Sequence, residues 1–170
     1  MKSYGFNQSD SDHTLFFKRK QGKLTLLIIY VDDMIITGDD LDEIRRLEER
    51  LAGEFEMKNL GGLKFFLGIE VARSKQGIIL SQRKYILDLL AEVGMLGCKP
   101  VETPVAVNEK LGEFEDQVPT NKERYQRLVG KLIYLSHTRP DIAYAVSLVS
   151  QFMHNPSEDH MDAVMRIIKY

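Results

Sequence analysis

The sequence predicts an α+β fold, with an antiparallel sheet and one helix over residues 1–80 and mainly helices from residue 81 onward. Two observations carry that expectation. Up to Leu80 the apolar residues fall in short runs rich in β-branched and aromatic side chains, bounded by glycine or polar turn residues. From Ser81 they recur every three or four positions behind residues suited to capping helices. A third observation, Pro100, Pro104 and Pro119 within residues 99–120 beside the acidic Glu113, Glu115 and Asp116, marks the expected linker.

Taken in order, residues 14–17 form a short strand after a polar turn, and residues 18–22 turn the chain back. Residues 24–31 and 34–37, with Gly22 before and Gly38 after, read as two buried strands of one hairpin. Asp32 and Asp33 fall at its bend. Asp40 then caps a helix, with Glu43 completing a capping-box pattern, and Leu41, Ile44, Leu47, Leu51 and Phe55 line one face. Gly53 is the expected stop, and the charged outer face from Asp42 to Arg50 reads as solvated. Residues 55–60 form a further strand and Gly61-Gly62 a turn. Leu67, Ile69 and Val71 alternate along a strand that pairs with residues 78–80 across Ser74 to Gly77, and Gly68 in mid-strand suggests a bulge or a close backbone approach.

Ser81 opens a helix reaching Val93, with Tyr85, Ile86, Leu89, Leu90 and Val93 inward and Gly94 and Gly97 as stops. Arg83 and Lys84 lie in its first turn, against the helix dipole, where they are either ordinary surface cations or partners for an external anion such as phosphate. Thr120 and Glu123 form a capping-box pattern before Tyr125, Leu128, Leu132 and Leu135. Pro140 and Asp141 open a second helix bearing Ile142, Ala145, Val146, Val149 and Met153. Ser157 caps a third, whose apolar face at Met161, Val164, Met165 and Ile168 is still running at Tyr170, so the chain reads as cut there. His137, His154 and His160 lack metal-motif spacing and read as surface or capping residues.

Composition sets limits on function. At 170 residues and 44% hydrophobic content the chain can bury a real core in one domain or two small ones. Its one cysteine, Cys98, excludes an intrachain disulfide framework and points to a reducing, intracellular setting as a packing residue. No apolar run approaches a membrane span and residues 1–17 lack a signal-peptide pattern, so a soluble protein is expected. A net charge of -2 argues against indiscriminate nucleic-acid binding. The charge is uneven, however: residues 31–70 carry five basic and eleven acidic groups, and residues 71–100 carry five basic and two acidic. That split suits a metal-binding region followed by a phosphate-tracking one, or a fluctuation on solvated faces.

Adjacent carboxylates at the mouth of an apolar sheet repel each other and lose hydration, a difficulty that a divalent cation removes. Mg²⁺ takes oxygen ligands and keeps positions for water or phosphate, so Asp32 and Asp33 could hold it for phosphoryl transfer. Aspartate is also simply a good turn residue. Two carboxylates alone are too few ligands.

Tyr30-Val31-Asp32-Asp33 resembles the YxDD motif of reverse transcriptases, and its flanks, residues 27–29 and 34–40, resemble the copia-type LTR retrotransposon version. The resemblance continues in order through Tyr4-Gly5-Phe6, residues 12–16, residues 66–71, residues 128–132 and residues 138–146, and so covers nearly the whole chain. It implies a partial palm over residues 1–80, with the YxDD hairpin and a primer-grip hairpin, a first thumb helix over 81–98, a linker over 99–120, and a helical thumb and connection region over 121–170. It implies Asp32 and Asp33 as catalytic metal ligands, Tyr30 and Val31 as the rest of the active-site hairpin, and Phe66, Leu67 and Gly68 as the primer grip. Arg73, Lys75, Arg83 and Lys84 become candidates for nucleic-acid backbone contacts. The implied cofactor is a pair of Mg²⁺ ions, with Mn²⁺ as an alternative, and the implied partners are an RNA/DNA template-primer and a deoxynucleoside triphosphate. The family's upstream aspartate and fingers match no segment here, so the chain is expected to be inactive alone, with exposed apolar surface for the other half of the polymerase or another chain. The alternative is a non-catalytic retroelement remnant that binds nucleic acid or a protein partner.

Overall fold

The computed structural model describes residues 1–106, 111, 112 and 114–170. The expected Glu113 of the acidic patch lies outside the described residues. The structure is mixed α and β, with antiparallel sheets and five α-helices among the described residues. It divides into two compact units, Met1–Phe66 and Leu67–Tyr170.

In the first unit the strands β1 (Asn7–Gln8), β2 (Leu15–Lys20), β3 (Lys23–Tyr30) and β4 (Asp33–Gly38) form one antiparallel sheet in sequence order. The basic stretch expected as a turn is instead the end of β2. Lys20 pairs with Lys23, leaving only Gln21 and Gly22 at the corner with φ of 51° and 80°, the two positive values that a type I′ hairpin needs. Along β3 only Thr25 and Leu27 are buried, so the strand is covered on one face rather than both. Phe16 and Ile36 flank Leu27 in register, and Leu47 and Leu51 of α1 (Leu41–Glu54) complete this core with Phe6.

The Asp40 carboxylate caps α1 by accepting the Glu43 N–H at 3.1 Å. Glu43 does not return the bond. Its buried carboxylate meets Lys18 Nζ on β2 at 2.5 Å, and Lys18 also donates to the Tyr4 carbonyl, so the pair clamps helix to sheet. Leu41 and Phe55, expected on the inner face, are exposed, because the covered stripe is only Ile44, Leu47 and Leu51 wide. Helix α1 runs one residue past Gly53, and residues 55–60 form no strand. With no partner strand beside it, that short segment has no ladder to join.

The second sheet has the order β5 (Phe65–Phe66), β6 (Ile69–Ser74) and β7 (Gly77–Ser81). Gly68 is not a mid-strand bulge. It shares with Leu67 the corner between β5 and β6, at φ of 82° and 50°, again the values of a type I′ turn. Strand β7 lies at the sheet's edge with Ile78, Ile79 and Leu80 all exposed.

Helices α2 (Arg83–Glu92), α3 (Lys122–Leu135), α4 (Ala143–Ser150) and α5 (Glu158–Lys169) share the larger core. Helix α2 starts after Gln82 rather than at Ser81, whose hydroxyl accepts the Arg83 N–H. The expected inward residues Tyr85, Ile86, Leu89, Leu90 and Val93 all pack against that core. The cap of α3 is Asn121, one residue beyond Thr120, and accepts the Arg124 N–H at 2.8 Å. Pro140 begins a 3₁₀ turn, Pro140–Ile142, ahead of α4. Ser157 caps α5 as expected, but its partner is the fully buried His160, which is no surface residue. The Ser157 N–H donates to His160 Nδ1 at 3.0 Å, which leaves Nε2–H to donate to the Gly112 carbonyl at 3.1 Å. The described residues between α2 and α3 lie along α5: Val101 N–H donates to the Lys169 carbonyl, Arg166 donates to Thr103, and Glu158 N–H donates to the Val118 carbonyl.

Glu92 joins α2 to α3 through Lys131 and through Arg127 at 3.1 Å. The Lys131 hydrogen bond leads the effects that hold the Glu92 carboxyl below its ordinary value. A lowered folded-state value adds stability above the ordinary glutamate range, and that stability is lost as the pH falls through the range. Thermal unfolding of Glu92→Gln, followed from neutral pH down to about pH 3, is therefore expected to give a shallower loss of melting temperature than the parent chain.

Candidate functional site

The Asp32-Asp33 bend is built by the strands on either side. Tyr30 pairs with Asp33, so β3 and β4 are joined by only Val31 and Asp32. Long aliphatic strands hold the register, since a slip of one residue would move Leu27 out of the core. Of the two corner residues only Val31 has positive φ, 51°, the pattern of a type II′ turn, which normally places glycine there. A β-branched residue in that region is strained by about 1–3 kcal/mol. Val31 is also 82% exposed, so its side chain gains nothing from burial that would offset the strain. The sequence signal was present, as a valine where a tight hairpin calls for glycine, but the motif resemblance alone gives it no physical meaning.

Asp32 and Asp33 are exposed, and Tyr30 is half-exposed beside them. The loss of hydration expected for the two carboxylates is therefore absent. Solvent reaches both side chains, so they can accept an incoming cation without a structural change. Among the described residues no group of three or more His, Cys, Asp or Glu side chains stands ready to hold a metal. Two adjacent carboxylates still fit Mg²⁺ as part of a ligand set, because that ion commonly takes one or two protein carboxylates and fills the rest with water and phosphate oxygens.

The other sequence-derived residues belong to the second sheet and α2, with Phe66 closing the first unit. Leu67 and Gly68 form the hairpin corner, and the Tyr134 hydroxyl of α3 donates to the Leu67 carbonyl. Tyr134 is a residue the sequence reading missed as part of the site. Its ring meets Tyr85 edge-on at 5.3 Å, and burial raises the Tyr85 phenol above its ordinary value. Arg73 lies at the outer end of β6 and Lys75 in the turn to β7, both exposed and in no ion pair among the described residues.

Arg83 and Lys84 do open α2, but the helix end already has an internal anion. The Glu70 carboxylate accepts the Lys84 N–H at 3.3 Å, and the Lys84 ammonium pairs with Asp88 at 2.8 Å. Lys84 thus has anionic partners within the chain for both its N–H and its ammonium. Arg83 is exposed and in no ion pair among the described residues. No described helix is long and apolar enough to cross a membrane.

A family model described as reverse transcriptase (RNA-dependent DNA polymerase) matches residues 1–107. Over 166 residues the chain is 44% identical to the retrovirus-related Pol polyprotein from transposon RE1 of Arabidopsis thaliana, covering 98% of this chain and 11% of that protein. It is 38% identical over 180 residues to the Pol polyprotein from transposon TNT 1-94 of Nicotiana tabacum, covering 100% of this chain and 14% of the relative. A putative transposon Ty5-1 protein of Saccharomyces cerevisiae is 32% identical over 174 residues, covering 100% of this chain and 56% of the relative. The chain thus spans about a ninth of the length of the RE1 polyprotein. No solved structure matches it significantly.

Proposed function

Because this chain belongs to the reverse transcriptase (RNA-dependent DNA polymerase) family, we propose that it supplies the YxDD hairpin and the primer grip of a copia-type retrotransposon polymerase. The observation that carries this reading is the two-residue bend at Val31 and Asp32, which presents Asp32 and Asp33 to solvent at the tip of a sheet fixed by Leu27 and α1. In this reading residues 1–80 are part of the palm, α2 is the first thumb helix, and the later helices are thumb and connection.

Asp32 and Asp33 would hold Mg²⁺, with other parts of a polymerase and the nucleotide's phosphates completing the ligands. The chemistry that Mg²⁺ would supply there is stabilisation of the negative charge developing on the reacting oxygens. The contribution of this chain is geometric. The strained turn holds two consecutive aspartates at the hairpin tip, and the β-ladder below it fixes their backbone. Leu67 and Gly68 would bear on the primer's 3′ end, which must lie in line with the nucleotide for transfer. Arg73 and Arg83 would meet the duplex backbone through their guanidinium forks and Lys75 as a point charge, while Lys84 would have to exchange its exposed pair with Asp88 to join them.

The test replaces the corresponding segment of the RE1 Pol polyprotein with these 170 residues. The folded chimera is expected to extend a DNA primer on an RNA template in Mg²⁺. A chimera that folds and binds template-primer yet extends nothing overturns the reading.

A further inference from the structure

We propose that Tyr134 is a positioning residue of the primer grip, holding the Leu67-Gly68 corner through the Leu67 carbonyl. The inference rests on the reading of that corner as the primer grip and adds to it a residue from α3, 67 positions away along the chain.

The corner is poorly held by its own strands. Strand β5 has two residues, and Leu67 adopts a left-handed φ of 50° without being glycine. The residue is 38% exposed, so burial fixes it only in part. The hydroxyl of Tyr134 donates to the Leu67 carbonyl, and its ring edge lies where a side chain on Gly68 would come within 3.8 Å.

Tyr134 itself has little freedom. Its neighbours on α3, Leu132 and Leu135, are buried in the large core, and Tyr85 closes on its ring at 67°. Tyr85 is fixed in turn by donating to the Lys131 carbonyl at 3.3 Å. The His137 ring also lies near the Tyr134 ring, at 5.8 Å between centroids. The phenol is thus aimed by the helical core at one backbone oxygen of the hairpin, which leaves the Leu67 side chain and the Gly68 backbone to meet a ligand. A ring that served only to fill space would not need its hydroxyl on that oxygen.

The test uses the full 170-residue chain and fluorescence anisotropy with two probes, a DNA primer with a recessed 3′ end on an RNA template and an RNA/DNA duplex of the same length with both ends closed by hairpin loops, which offers no 3′ end. The parent is expected to prefer the recessed end. Tyr134→Phe, which keeps the ring and removes the donor, is expected to lose about fivefold of that preference, with closed-duplex affinity and melting temperature unchanged. Tyr134→Leu should lose at least as much, and amide exchange at Leu67 and Gly68 should quicken in both variants. A parent that prefers the recessed end while Tyr134→Phe retains the full preference overturns the positioning role and leaves the primer-grip reading standing. A parent with no preference overturns both.

Discussion

Asp32→Asn or Asp33→Asn, made singly in the RE1 polyprotein that carries this segment, is expected to reduce primer extension about a thousandfold, since metal stabilisation of the reacting oxygens contributes several kcal/mol and each 1.36 kcal/mol is tenfold. The amide is nearly isosteric with the carboxylate but carries no charge. Both side chains lie in solvent at the tip of the hairpin, so neither substitution opens a cavity or strands a buried partner. The folded state should be unmoved: a melting temperature within a degree or two of the parent and template-primer affinity within a few-fold are part of the expectation. Steady-state extension at saturating template-primer, with Mg²⁺ varied, is the measurement. A loss of less than tenfold for both variants would remove the metal-ligand role from these residues.

Tyr125→Ala is expected to remove most of the stability of the second unit. Tyr125 is fully buried at the centre of the helical core, and its hydroxyl donates to the Val149 carbonyl at 2.6 Å. Truncating a buried aromatic to alanine costs about 3–5 kcal/mol, and the lost hydrogen bond adds about 1 kcal/mol, the Val149 carbonyl keeping the Phe152 N–H. Against a total of about 5–15 kcal/mol for a domain, that leaves a unit partly unfolded at room temperature. Tyr125→Phe keeps the packing and should cost only about 1 kcal/mol. Burial also holds the phenol far above its ordinary value, so the hydroxyl is a donor at neutral pH. Urea unfolding of both variants, followed by helical circular dichroism, separates packing from hydrogen bonding. Similar losses in the two would show that the Val149 contact, rather than the ring, dominates.

The parts of the fold legible in the sequence were those governed by local periodicity. The β3–β4 hairpin, α1 and the inward faces of α2 and α3 followed from alternation or from three-and-four spacing behind a cap. The errors lay where a non-local partner decides. Residues 55–60 have strand-like composition but no strand beside them, and the basic run after Phe17 is strand because β3 pairs with it. Gly68 was singled out correctly as special, yet whether a glycine marks a bulge or a hairpin corner depends on the pairing of β5 with β6, which alternation does not encode. At the candidate site the acidic pair and its bend were readable because motif and turn coincide. The Tyr134 contact, Glu70 at the start of α2, and the Glu43–Lys18 clamp were not, since each joins residues 14 or more positions apart. His160 was read as a capping residue without its burial, because a histidine in a cap looks the same in sequence whether or not a chain segment lies over it.

The uncovered flank at β7 bears on how the protein behaves in a test tube. Three consecutive branched aliphatic side chains on an outermost strand, Ile78, Ile79 and Leu80, offer a neighbouring molecule both a sticky surface and a ladder to extend. Crowding of the sample, more than heating, would then set how long it stays dispersed, and a charged residue at the middle of that trio is the simplest way to keep it so.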